Sequence, residues 1–175
     1  CGGGLHMVDV QAPANPTFAG CFADPSTGRA GTGYTHDAQC VVYKGPDSDY
    51  QGREVCFNAN ETALNVADVT DKDAPSTIAN ATYPQVGYTH QAWLTEDQRY
   101  LYLDDELDES RGLVGKTRTL VFDVTDLDNP ELATSYQGPT GAIDHNQYIE
   151  GSYSYQANYQ SGLRILDVSE PESPG

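Results

Sequence analysis

Thr119-Leu120-Val121-Phe122-Asp123-Val124, closed by a turn that runs to Pro130, sets the architecture, because it occurs four times in the chain. The other copies are Leu5-His6-Met7-Val8-Asp9-Val10 before Pro13 and Pro16, Leu64-Asn65-Val66-Ala67-Asp68-Val69 before Pro75, and Leu163-Arg164-Ile165-Leu166-Asp167-Val168 before Pro171 and Pro174. Their aspartates, Asp9, Asp68, Asp123 and Asp167, lie 59, 55 and 44 residues apart. Each copy is apolar at successive positions, as a short strand buried on both faces requires, and the Asp/Ser/Thr/Pro turn behind it bars a helix. The four aspartates are therefore expected to be structural, their carboxylates closing the turn by accepting backbone N–H groups. A second short run follows each turn, as in Thr17 to Phe22 or Glu131 to Tyr136, and reads as an adjacent antiparallel strand.

Two further elements return between the aspartate turns. One is Gly33-Tyr34-Thr35-His36-Asp37-Ala38-Gln39, Gly87-Tyr88-Thr89-His90-Gln91-Ala92-Trp93 and, more loosely, Ala142-Ile143-Asp144-His145-Asn146-Gln147-Tyr148. The other is Val55 to Glu61, Tyr100 to Glu106 and Ser152 to Asn158. Each period thus holds four strands. Four-stranded units repeating every 44 to 59 residues predict an all-β chain built as a β-propeller of antiparallel blades, a better account than a β-sandwich, which gives no reason for the markers to return in order. The units fall at roughly 1–30, 31–84, 85–140 and 141–175, within one partial propeller domain spanning 1–175. The chain opens at the third strand of one blade and stops after the third strand of another, leaving about three blades where a ring needs roughly four to eight. The expected partners therefore include the remaining blades of a longer chain, or another chain that completes the ring.

Cys1, Cys21, Cys40 and Cys56 form an even set with no C-x-x-C pair, so zinc knuckle and thioredoxin chemistry are absent and disulfides lead over four buried thiols. Cys40 and Cys56 flank the turn-rich Gly45-Pro46-Asp47-Ser48-Asp49 stretch, and a hairpin folded near Ser48 sets them opposite each other. Cys1 and Cys21 are the pair left over. Bridges imply an oxidising compartment.

The net charge of −17 on 175 residues excludes a nucleic-acid partner, which would need a basic stripe. Only Lys44, Lys72 and Lys116 supply lysine, so the surface suits either salty or calcium-rich surroundings or an ordinary secreted protein. A hydrophobic content of 38% still permits a packed domain, and no window is long and apolar enough for a membrane span or a signal peptide.

The Asp-Val-Thr/Ser turns, the Gly-Tyr-Thr-His strands, the Cys-Gly-Gly-Gly-Leu-His start and the run from Trp93 through Glu109 together resemble the LVIVD-repeat proteins, most closely the choice-of-anchor B family of bacterial surface proteins. The resemblance spans essentially the whole chain. It implies a secreted or cell-surface bacterial β-propeller, longer than these residues and attached by C-terminal anchors that differ between bacteria; the expected ligand is a cell-surface or extracellular protein or glycan. It carries no catalytic activity over.

Two groups of residues bear chemistry. His36, His90 and His145 take the same place in three successive repeats, at the start of the innermost strand, where neighbouring blades converge. They are expected to point into one shared space, with Asp37, Gln91 and Asn146 facing the other way. Such imidazoles either bond carbonyls of the next blade or ligate a transition metal. Asp104, Asp105, Glu106, Asp108 and Glu109 crowd one run after a strand and form a candidate Ca²⁺ loop, although it lacks the glycine and spacing of an EF-hand. Ca²⁺ ranks ahead of a transition metal as the expected cofactor. With no G-x-S-x-G elbow and no phosphate-binding glycine loop, the residues favour a non-enzymatic binding scaffold, with a metalloenzyme using the histidines as the alternative.

Overall fold

The computed structural model describes residues 1–175. Its thirteen strands form four antiparallel sheets in chain order. The first sheet holds β1 (Leu5–Asp9) and β2 (Thr17–Phe22). The second holds β3 (Asp37–Val42), β4 (Glu54–Ala59), β5 (Leu64–Asp68) and β6 (Ser76–Ala81). The third holds β7 (Thr89–Leu94), β8 (Tyr100–Asp105), β9 (Arg118–Asp123) and β10 (Glu131–Gln137). The fourth holds β11 (Asn146–Glu150), β12 (Tyr153–Ala157) and β13 (Leu163–Asp167), and a three-residue 3-10 turn, Tyr159–Ser161, precedes β13.

Every sheet is a simple meander, so each strand pairs with its neighbours in sequence. The aspartate turns follow from the side chain itself. Asp9, Asp68, Asp123 and Asp167 each accept the backbone N–H two residues on, from Gln11, Thr70, Thr125 and Ser169, at 2.8 to 2.9 Å. Asp68 also pairs with Arg53 across the sheet, at 2.5 Å. Two disulfides are present. Cys40 and Cys56 are directly opposed on β3 and β4, and Cys1 is joined to Cys21 of β2.

The pairing fixes which residues are equivalent. Val55, Tyr100 and Tyr153 each stand opposite the turn aspartate of their own sheet, Asp68, Asp123 and Asp167. The third recurring element of the last sheet is therefore offset by one residue from the alignment that begins at Ser152. The reason is that Ser152 lies in the Gly151-Ser152 turn and contributes no strand residue. In the true register Ala59, Asp104 and Ala157 are equivalent, and so are Glu61, Glu106 and Tyr159.

The sheets stack face to face. β5 and β9 are buried along nearly their whole length, and the main core between the second and third sheets gathers Phe57, Leu64, Val66, Leu101, Leu103, Leu120 and Phe122. Tyr102 and Val121 on the other face of the third sheet pack against Ile149, Leu166 and Val168 of the fourth. Met7 and Phe22 of the first sheet cover Cys56, Ala67 and Val69 of the second. The two outermost faces are bare. Tyr148, Tyr155 and Ile165 form a cross-strand row on the fourth sheet and are 39–54% exposed, whereas their equivalents Tyr102 and Val121 are fully buried. On the first sheet Val8 and Val10 are exposed, while Ala67 and Val69, Phe122 and Val124, and Leu166 and Val168 are all buried.

Candidate functional site

The inner strands bring the repeated histidines together. β7 lies between β3 and β11, and its Gln91 fastens it to β11 through a reciprocal pair: Gln91 Nε2 donates to Gln147 O and Gln147 N donates to Gln91 Oε1, both at 3.0 Å. His36 and His145 come immediately before β3 and β11, and His90 is the second residue of β7. The imidazole of His90 sits between the other two, with ring centroids 4.3 Å from His36 and 4.5 Å from His145. His90 is also the extra residue of a β-bulge, since Thr89 pairs with Asp105 and Gln91 with Asp104, and a bulge re-aims the side chain it carries.

The nearest acidic group is Glu106, which the sequence assigns to a separate calcium loop. It follows the end of β8, where its N–H donates to Tyr88 O, and its carboxylate reaches the imidazoles. Glu106 Oε2 lies 3.5 Å from His90 Nε2 and Glu106 Oε1 lies 3.7 Å from His145 Nε2. Tyr159, which is equivalent to Glu106 in the next repeat, donates its hydroxyl to Glu106 Oε1 at 2.6 Å and packs edge-on against His145. The donor atoms of His90, Glu106 and His145 all lie within 4.8 Å of one another. His36 stands beside this trio, its Nδ1 3.1 Å from the hydroxyl of Tyr88.

The electrostatics suit a neutral imidazole. Burial, and then the neighbouring charge of His36, hold His90 down to about 4 against the opposing pull of Glu106, so the ring is unprotonated at neutral pH. Its Nδ1 lies 3.0 Å from His145 O, which as an acceptor fixes the proton on Nδ1 and leaves Nε2 with its lone pair toward Glu106. Two imidazole nitrogens and one carboxylate form a donor set for a divalent transition metal that leaves further coordination positions open.

The remaining acidic residues separate. Asp105 is consumed by structure: Oδ2 accepts the Tyr83 hydroxyl and Gly87 N–H, and Oδ1 accepts the Tyr88 N–H. Asp108 and Glu109 gather with Asp144, a residue that no pattern in the sequence singles out for binding, and Asp104 is buried on β8 opposite Thr119. The five carboxylates of the run therefore do not share one loop site, because Asp105 is held by Tyr83, Gly87 and Tyr88, Glu106 reaches the histidines, and Asp108 and Glu109 group with Asp144. The signal for Asp104 is present in the repeats, where Ala59 and Ala157 hold the equivalent place.

Residues 148–175, from β11 through the last aspartate turn, match the family model of the LVIVD repeat. No curated protein matches the chain.

Proposed function

We propose that the chain is part of an extracellular or cell-surface bacterial β-propeller of the choice-of-anchor B kind, a binding scaffold that holds a divalent transition metal on His90, His145 and Glu106. The observation that carries the metal is the meeting of three donor groups, from three separate segments, within 4.8 Å. The propeller reading rests on four-stranded meanders stacked face to face, with β7 flanked by the corresponding inner strands β3 and β11, and on the LVIVD match. The extracellular reading rests on the two disulfides. The bare faces of the first and fourth sheets suit further blades, supplied by the same chain or another.

A second reading, a metalloenzyme on the same trio, draws on the coordination positions that three protein donors leave open. The two part on chemistry: a scaffold holds its metal without turnover, and an enzyme cycles or hydrolyses at it.

Titration of Zn²⁺ into chelator-treated protein, followed by calorimetry and elemental analysis, tests the site. One ion per chain is expected, with His145→Gln and Glu106→Gln each weakening it by about tenfold or more. Failure to bind Zn²⁺, or wild-type affinity in both variants, overturns the assignment.

A further inference from the structure

We propose that Asp104, Asp108, Glu109 and Asp144 form a Ca²⁺ site that staples the third sheet to the segment entering the fourth, separate from the His90, Glu106 and His145 trio. Asp104 lies at the end of β8, Asp108 and Glu109 lie in the connection to β9, and Asp144 precedes β11. Donor oxygens of Asp108, Glu109 and Asp144 lie within 4.8 Å of one another.

Burial is what turns these carboxylates from a solvated surface cluster into a site. Asp104, Asp108 and Asp144 are at most 1% exposed. Six carboxylate oxygens lack a partner in good hydrogen-bonding geometry, both of Asp104, both of Glu109, Oδ1 of Asp108 and Oδ1 of Asp144, although the Gln147 amide neighbours Asp104 and the carboxyls of Asp108 and Glu109 lie against each other. Asp104 pairs with Thr119 on β9, the residue after Arg118 whose backbone N–H holds Asp144, which sets Asp104 beside the same group of carboxylates. An ionised carboxylate out of water without partners is costly, and the equivalent places in the neighbouring sheets carry Ala59 and Ala157 instead. Packing therefore does not ask for an aspartate there.

One cation is already supplied. Arg118 binds Asp108 Oδ2 through Nε at 2.9 Å and Nη2 at 2.8 Å, and its backbone N–H donates to Asp144 Oδ2 at 3.0 Å. The guanidinium thus satisfies one carboxylate edge and leaves the opposite edges free. With all four carboxyls ionised, as ligation requires, one arginine leaves three negative charges, which a divalent ion reduces to one; without the ion, burial pushes the carboxyls up and protons take its place. Ca²⁺ takes six to eight oxygens in flexible geometry, whereas Mg²⁺ keeps several waters in a strict octahedron, so an irregular and mostly buried oxygen set selects Ca²⁺.

The test is calorimetric melting of chelator-treated protein with Ca²⁺ alone as the added ion. At about a hundredfold excess over Kd the wild type is expected to gain about 5–10 °C in Tm, with a smaller gain from Mg²⁺. Asp104→Ala, which installs the residue of the sister repeats, and Asp144→Asn, which keeps an acceptor for the Arg118 N–H, are expected to lose most of the gain. His145→Gln is expected to keep it, which separates this site from the transition-metal trio. An unmoved wild-type Tm overturns the proposal. So does a full gain in folded Asp104→Ala and Asp144→Asn, because the ion is then held elsewhere on the acidic surface.

Discussion

Asp68 and Asp123 perform the same local task, and their neighbours make the cost of losing them differ. Both oxygens of Asp68 are engaged, one by Thr70 N–H and the other by Arg53, whereas Asp123 receives only the Thr125 N–H from its turn. Replacement of Asp68 by Ala is expected to cost about 1–2 kcal/mol and of Asp123 about 1 kcal/mol, with metal affinity unchanged in both, as read by denaturant unfolding and calorimetry. Asp24 carries a pH signature. Burial pushes its carboxyl up, but bonds from the Ser26 hydroxyl, Asn80 amide, Thr77 hydroxyl and Ser26 N–H outweigh it and bring the group to about 2. A depressed carboxylate contributes stability that is present above its ordinary value near 3.8 and is lost as pH falls through about 2. Acid titration of Asp24→Asn is therefore expected to show less loss of stability than the wild type across that window; an unchanged acid transition contradicts the assignment.

At the scale of the element, the hairpin of β3 and β4 is clamped by a bridge that closes a 16-residue separation. The entropy it removes from the unfolded chain amounts to about 3 kcal/mol, so Cys40→Ser with Cys56→Ser is expected to unfold at lower denaturant by that margin. Equal midpoints would show that the bridge constrains nothing. This hairpin and the strand order were legible in the sequence because both depend on local signals, a turn between two β-rich runs and an aspartate that returns in each repeat. The candidate site was legible only by halves. His36, His90 and His145 share a register and so announce a common space, but Glu106 reaches them from the end of β8, and a run of five carboxylates gives no sign of which way each one leaves the strand. Asp144 was hidden for a further reason: its donor oxygen meets those of Asp108 and Glu109 from the β8–β9 connection, and sequence spacing does not encode that meeting.

Across the whole molecule, equivalence between sheets explains exposure as well as burial. Tyr155 and Ile165 are bare because no sheet covers them, while Tyr102 and Val121 at matching places are sealed by the fourth sheet. Such rows promote association, so the 175-residue chain is expected to self-associate with concentration in sedimentation velocity, and Tyr155→Glu to suppress it. A concentration-independent monomer would mean that these faces need no cover. The stacking of sheets also makes the histidine site, since His90 and His145 meet only when β7 and β11 lie side by side. X-ray absorption at the Zn edge of the loaded protein tests this convergence most directly. The expected first shell contains two imidazole nitrogens and carboxylate oxygen at about 2.0–2.2 Å, and a shell of oxygen alone, without imidazole scattering, would contradict it.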